Sequence, residues 1–572
     1  MAKQTEFDLR TRLLGALPLV QHFIDRLQLD SLLQQYVPIT DSRFRLAPAV
    51  SLGVALRNII VGRRPLYGLQ EWAASFDPVL LGLPDEGFEL LNDDRVGRAL
   101  DQLFDADRAS FMTAVAMKAI SEFDIDLNQF HNDSTSITFS GEYAMANGRK
   151  IRGKRAVEIN RGHNKDHRPD LKQLLWILTV TGDGAIPIHY RVCDGNTNDD
   201  VTHIDTWEAL RKIAGKDDFL YIADCKLCSR KNMAHIASNG GRFITVLPQT
   251  RREYKWFRNY IQDHVLAWLE VIRKPSARGR GTTEDIWRVA ESPLPSIEGY
   301  RIIWVFSQQR AEGDQLFRLK ALQKATHSID ALNTRLQGKR CRIRKRSTLE
   351  DEVQKVLKRT GVERWGEVEI VENTKVVFKQ IGGGRPGPDT TYEKVEQLQF
   401  SLMWKPNADG IAFDARSDGL YPLITNCKED ELSAGEILKY YKFQPRLEKR
   451  HEQLKTVYLV APALLKNEGR IEALLLLFFL AMLVQGLIER ELRQGMKAEE
   501  IATLPLYPEG RSCKAPTANR VFEVFEKIQR HELVHDNLIT QRFDPILTPL
   551  QRDLLRLMSV PKRVFPGQDD DA

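Results

Sequence analysis

Cysteine is scarce in this chain: six among 572 residues, unevenly scattered. That spacing excludes a disulfide framework and predicts a reducing compartment. Cys225 and Cys228 form a lone CxxC with no second pair at zinc-like spacing, so neither metal nor redox use is assigned to it. Long apolar runs are scarce too. The most apolar one, Ala473 to Val484, is twelve residues and closes at Gln485, Gly486 and Glu489. It falls short of the ~18–20 residues a bilayer requires and predicts a buried core helix. The opening residues MAKQTEFDLR are charged and lack the apolar core of a signal peptide. The expectation is a soluble, cytoplasmic protein with no membrane partner. Charge of one sign is also nearly absent overall: 83 Lys+Arg against 77 Asp+Glu leave only +6. That balance does not by itself demand nucleic acid. No internal repeat is visible.

What is present is ordinary globular chemistry, 42% hydrophobic and 28% charged, which excludes a disordered, collagen-like or coiled-coil chain. At ~100–200 residues per domain, the length predicts three or four domains. Residues 1–120 carry apolar positions at helical spacing (Leu13, Leu14, Leu17, Val20, Phe23, Ile24, Leu27; then Leu100, Leu103, Phe104, Phe111) and read as helices. From about 127 the pattern changes to short β-rich runs: Asn128–Phe139, Leu174–Thr181, Ile186–Val192, Phe219–Ala223 and Arg242–Leu247. Helices are expected at about 200–214 and 229–237. Three strands, a helix, a strand, a helix and a strand predict a mixed α/β sheet. Residues 248–420 break that alternation with a helix near 313–337, strand-like pieces and the loop Gly382–Pro388, and read as an insertion. After it come a possible returning strand (Pro422–Thr425), helices through 433–455 and 468–495, and a helical tail ending in acidic residues.

Two aspartates stand where such a sheet exposes side chains to a crevice. Asp133 sits in a polar break (HNDSTS) of the first strand, and Asp224 directly follows the apolar strand Phe219–Ala223. Either alone reads first as a cap or turn former. As a pair on neighbouring strands they repel unless protons or divalent cations neutralise them. A third element runs from Tyr441 to Lys455. At helical spacing, Tyr441, Gln444, Glu448, His451, Glu452 and Lys455 share one polar face. If Pro445 starts the helix, that face holds only from Gln444 onward.

Asp133 in DSTSITFSGEY, Asp224 in IADCKLCS, and Tyr441, Glu448 and Lys455 at Y-x6-E-x6-K together resemble bacterial insertion-sequence transposases of the DDE class, in the insertion-sequence-four superfamily. The stretches RGHNKDHRPDLKQLLW (161–176) and DGNTNDD (194–200) are similar to that group as well, and the likeness covers roughly residues 10–540. Asp224 lies 91 residues beyond Asp133, and Glu448 a further 224, a gap that requires an inserted domain.

The resemblance implies an α/β fold: a ribonuclease H-like mixed sheet core interrupted by a β-containing insertion domain, with helical N- and C-terminal regions. Its parts would be a DNA-binding region (1–120), the first part of the core (121–247), the basic insertion (248–420), the second part of the core (421–500) and a C-terminal region (501–572). It implies that Asp133, Asp224 and Glu448 are catalytic and hold two Mg²⁺ or Mn²⁺ ions. The implied chemistry is cleavage at the ends of the chain's own element and transfer of the 3′-hydroxyls to target DNA, by a homodimer on paired ends in a bacterial nucleoid. Tyr441 and Lys455 would contact phosphates of double-stranded DNA at the terminal inverted repeats. The family arginine three residues after the tyrosine is replaced by Gln444. A metal-dependent nuclease on the same core, and a transposase-derived DNA-binding protein that does not cut, are the alternatives.

Two basic runs add candidate DNA contacts. In Arg251-Arg252-Glu253-Tyr254-Lys255-Trp256-Phe257-Arg258, cations and rings interleave, a pattern suited to phosphate and base stacking, though Trp256 and Phe257 read equally as core. The second run is Lys339-Arg340-Cys341-Arg342-Ile343-Arg344-Lys345-Arg346. Residues 251–350 hold 21 Lys+Arg against 11 Asp+Glu, an excess of 10 that is larger than the +6 of the whole chain. The insertion is therefore basic on a near-neutral body.

Overall fold

Residues 172–181 (KQLLWILTVT) are buried at every position but the first, as a near-continuous apolar run requires of a strand covered on both faces. This strand pairs antiparallel with Gln129–Phe139 on one side and with Pro187–Cys193 on the other. Gln129–Phe139 in turn pairs parallel with Leu220–Ala223, which pairs parallel with Arg242–Val246. The five strands thus form a mixed sheet, an antiparallel meander followed by two crossovers. The crossover helices are His203–Ala214, closed by Gly215 at φ +67°, and Arg230–Ser238, capped by the Ser229 side chain. The computed structural model that shows this describes residues 8–39, 45–84, 87–275, 284–338, 341, 343–458, 465–536 and 538–569.

The chain divides into two compact units, 1–245 with 440–572, and 246–439. In the first, the apolar segment is a 31-residue helix, Glu468–Ala498, started by the Asn467 side chain accepting from the Arg470 N–H. By length and composition it reaches what a membrane crossing needs, longer than the twelve-residue run suggests, but 94% of its most apolar window is buried. It is a core helix, packed among the N-terminal helices such as Pro48–Arg57 and Asp93–Asp105 and against the sheet edge. There Tyr190 is sandwiched between Trp176 and Phe479, at 4.7 and 4.8 Å between ring centres.

The terminal regions are not wholly helical, as the periodicity had suggested. Asp8–Leu13, Gln529–His535 and Leu538–Phe543 form a three-stranded antiparallel sheet. Two of its strands form a local hairpin, and the third, Asp8–Leu13, joins from more than 500 residues away in sequence.

The second unit begins at Val246 and ends at Lys439, against the 248–420 expected for the insertion. It holds antiparallel strands Leu269–Pro275, Glu284–Glu291, Arg301–Ser307 and Leu420–Thr425, in that order. Pro422–Thr425 is thus part of a strand paired with Arg301–Ser307. Two helices, Gln308–Gln337 and Arg346–Thr360, pack on one end of a ribbon made of Gly366–Gln380 and Tyr392–Pro406. Each ribbon strand is fifteen residues, much longer than the four to seven the sequence suggested.

Candidate active site

Parallel pairing of Asn132 with Ala223 sets the register of the two central strands. Asp133 and Asp224 are each one residue further along, so backbone hydrogen bonding alone brings their carboxylates side by side. Asp224 is fixed by the Lys226 N–H donating to its Oδ1 at 2.9 Å, while the Thr245 hydroxyl donates to its main-chain oxygen at 2.5 Å. Asp133 accepts from the Ser134 N–H at 2.8 Å.

The Glu448 helix, Gln444–Glu452, lies on the Asp133 strand with Pro445 in its first turn, where a missing N–H costs nothing. Tyr441 belongs to the preceding helix, Ala434–Tyr441, so Tyr441 and Glu448 do not share one helix face. They converge all the same. Burial raises the Tyr441 hydroxyl well above its ordinary pKa, and Asp224, Glu448 and Asp133 add to the rise. Partial desolvation and then Asp133 raise Glu448, although its side chain is exposed. Burial followed by the Asp133 charge raises Asp224. Asp133 is raised by burial, with Lys165 and the Ser134 N–H opposing. Three carboxyls with raised proton affinity mark a cluster whose negative charge is incompletely balanced.

Part of that balance comes from Lys165. Its Nζ stands 3.6 Å from Asp133 Oδ1 and 3.0 Å from Asp199 Oδ2, and donates to the main-chain oxygen and the hydroxyl of Ser134 at 2.7 Å each. Burial works against this ammonium, yet Asp133 and Asp199 outweigh it and hold its pKa above the ordinary value. The Ser134 hydroxyl also donates to Asp199 at 2.7 Å. His451 is buried one helical turn beyond Glu448, its Nε2 3.8 Å from Asp133 Oδ2, with neither ring nitrogen hydrogen-bonded. Burial, with Lys165 and Lys455 adding, pushes its pKa down to about 3, so the ring is neutral.

The helix is pinned from behind. Buried Arg450 pairs with Glu489 of the apolar helix at 3.0 Å and donates to the Ala185 carbonyl at 3.2 Å. Glu489 also accepts from the Ala518 N–H at 3.0 Å. Beyond Glu452 the helix widens into a π turn, Gln453–Val457, which carries Lys455. Lys455 donates to Asp166 at 2.6 Å.

Gln444, a candidate DNA contact, is buried instead. Its Oε1 lies 2.9 Å from His131 Nδ1 and its amide donates to the Asn132 carbonyl at 3.1 Å, joining the helix to the strand just before Asp133. Both ends of the carboxamide are engaged inside the protein, so this side chain is a positioning group. Arg446 is exposed and lies over the Phe443 ring at 4.7 Å.

The remaining candidates lie in the second unit. The run from Arg251 forms the helix Arg252–Asp263, with Tyr254 and Phe257 in the core and Phe257 stacked on Trp304 at 3.5 Å. Arg251 is held by Glu253 and Glu298, and Arg258 by Asp414. Arg252 and Lys255 are exposed, and Trp256 is half-buried on Tyr260. Arg344 and Lys345 are exposed, whereas Arg346 pairs with Glu350 and Glu372. Lys339, Arg340 and Arg342 lie outside the described residues.

The donors Asp133, Asp224 and Glu448 are hard oxygens of the type Mg²⁺ and Mn²⁺ prefer. Among the described residues, however, no three His, Cys, Asp or Glu side chains stand close enough to hold one ion as they are. The fit is therefore in donor chemistry and unbalanced charge, with Lys165 filling part of the cationic role.

The class defined so far is a mixed α/β protein with helical flanks and a carboxylate cluster on its two central strands. Residues 9–117 match a family described as a domain of unknown function (DUF4277). None of the curated proteins matches the chain. Among solved structures, a cryo-electron microscopy structure of a piggyBac transposase synaptic complex with hairpin DNA superposes with a TM-score of 0.38 at 10% identity, over 97% of this chain and 87% of that one. That likeness is too distant to define the fold.

Proposed function

We propose that the chain is a DNA transposase of the insertion-sequence-four type, cleaving the ends of its own element and joining the 3′-hydroxyls to target DNA. The observation that carries this reading is the parallel register that sets Asp133 beside Asp224, with the Glu448 helix lying on the Asp133 strand, so that three distant stretches of sequence meet. The meander-and-crossover sheet, with both aspartates on its central strands, supports a ribonuclease H-like core. Asp133, Asp224 and Glu448 are the residues that would hold divalent cations. Bound there, such ions supply activation of the attacking water or 3′-hydroxyl and stabilisation of the leaving oxygen. The protein's own part is to orient: Gln444 and the Arg450–Glu489 pair hold the glutamate helix, while Tyr441 and Lys455 present a hydroxyl and an ammonium for backbone phosphates.

The test is incubation of the purified chain with duplexes carrying the element's ends in Mg²⁺ or Mn²⁺. End cleavage and joining of a precut end are expected from the parent. Full cleavage by Asp133→Ala, Asp224→Ala and Glu448→Ala alike would sink the assignment, and hydrolysis without joining would identify a nuclease.

One observation favours a second reading, a transposase-derived DNA-binding protein that does not cut: the Lys165 ammonium already stands among these carboxylates. Calorimetric titration with Mn²⁺ separates the two. No heat of binding at millimolar ion favours the second reading, and binding lost in Asp133→Ala favours the first.

A further inference from the structure

The ribbon of the second unit has one face with two fates. In an antiparallel pair, residues directly opposite each other point to the same side. Val368 opposite Trp404, Ile370 opposite Leu402 and Glu372 opposite Phe400 define one face of the proximal half. That face is covered by the helices Gln308–Gln337 and Arg346–Thr360, which leave Phe400 2% and Leu402 5% exposed. The same face continues outward as Thr374 opposite Leu398, Val376 opposite Glu396, Phe378 opposite Lys394 and Gln380 opposite Tyr392. Here the apolar side chains are in water: Val376 42%, Phe378 66%, Tyr392 51% and Leu398 41% exposed. At ~3.4 Å per residue each strand spans about 50 Å, and a two-stranded ribbon without a covered face is marginal in water.

We propose that this distal face docks against the same face of a second copy of the chain, about a two-fold axis through the Val377–Val395 pair. The axis runs along the hydrogen-bonding direction, so each strand lies antiparallel to its own copy. The register is self-complementary at every position. Phe378 meets Val376 of the second copy, and Leu398 meets Tyr392. Lys394 meets Glu396, and Gln380 meets Thr374. Apolar groups face apolar groups, opposite charges face each other and polar groups face polar ones, as an isologous interface demands. The face is also continuous with the apolar interface already built by the two helices. Nucleic acid is a poorer occupant, because Lys394 is the only cation on this distal face and Glu396 lies beside it. The contact is smaller than the ~800 Å² per partner of a standard interface, so the dimer it makes is weak. The proposal is independent of the chemistry at Asp133.

The experiment is sedimentation velocity of the full chain, free of DNA, from about 1 to 100 µM, a range chosen for a weak interface. A monomer–dimer equilibrium is expected, and Phe378→Glu should weaken it by at least about tenfold without changing the circular dichroism spectrum. Lys394→Glu and Glu396→Lys should each weaken it, and the double variant Lys394→Glu/Glu396→Lys should restore it. This rescue cannot come from misfolding. A parent that stays monomeric throughout overturns the proposal, as does a dimer indifferent to Phe378→Glu. Failure of the double variant to recover overturns the two-fold register. A monomeric chain whose binding to duplex DNA is lost in Phe378→Glu overturns it in favour of a nucleic-acid surface.

Discussion

The Asp133 strand and the ribbon strand Gly366–Gln380 are both long β-strands, and they differ in almost everything else. The first lies inside a sheet, with a ladder on each side and burial at most of its eleven positions. The second has a ladder on one side only and is exposed over most of its length. In the first, one polar residue at a half-buried position becomes chemically loaded, because its surroundings cannot solvate it. In the second, a phenylalanine facing water leaves its own fold undisturbed. The lesson is that burial on both sides converts side-chain identity into energy, whereas a single ladder leaves identity free for outside use.

That contrast can be broken at several points. The largest effect should come from Asp133→Ala, Asp224→Ala or Glu448→Ala, each lowering DNA cleavage by at least ~10³-fold in a gel assay while the fold persists. Next is the clamp behind the glutamate. Glu489→Gln leaves Arg450 buried without its carboxylate and should cost about 3–5 kcal/mol by denaturant unfolding. A smaller and more pointed comparison lies within one ribbon face. Leu402→Ala, under the helices, should destabilise by about 2–5 kcal/mol, whereas Phe378→Ser, beyond them, should stay within about 0.5 kcal/mol in the monomer.

The smallest expected effect is on pH dependence. Burial raises the pKa values of Asp133, Asp224 and Glu448, and the Asp133 charge adds to the rise at Asp224 and Glu448, so the folded chain holds their protons more tightly than the unfolded chain. Their contribution to stability is therefore greatest at low pH and is lost as pH rises from the ordinary ~4 through the raised values. The buried neutral histidines His131, His203 and His451 act oppositely, destabilising the fold as pH falls below ~6.5. The reading is thus a difference. Asp224→Asn should melt higher than the parent near pH 7, with the gap closing toward pH 4, as followed by thermal melts. An unchanged gap would show that the cluster is already neutralised.

Much of the sheet was legible in sequence because its strands are nearly continuous apolar runs: LLWILTVT and FLYIA name themselves. The pairing of Asp133 with Asp224 was expected from a polar break in one strand and the polar end of its neighbour. The ribbon was read as two short pieces, because only its proximal residues, Val368–Val371 and Leu398–Trp404, look half-buried. In sequence, Lys165 reads as a phosphate contact beside His163, His167 and Arg168, and Asp199 as a helix-capping residue. Nothing in KDHRPD or NTNDD says that a lysine from one and a carboxylate from the other meet beside Asp133. Gln444 was misplaced for a related reason: a buried amide bonded to His131 looks, in sequence, like any polar residue on an open helix face.

The clamp at Glu489 also sets an order of events in time. The five strands nearest both aspartates are all in the chain by Val246, while the residue that locks the Glu448 helix comes 243 residues later. At ~5–20 residues per second, a growing chain spends roughly 10–50 s with both aspartate strands synthesised and the partner that locks the glutamate helix not yet made. Until then the Asp133 and Asp224 strands wait for the residue that fixes the helix of the third carboxylate.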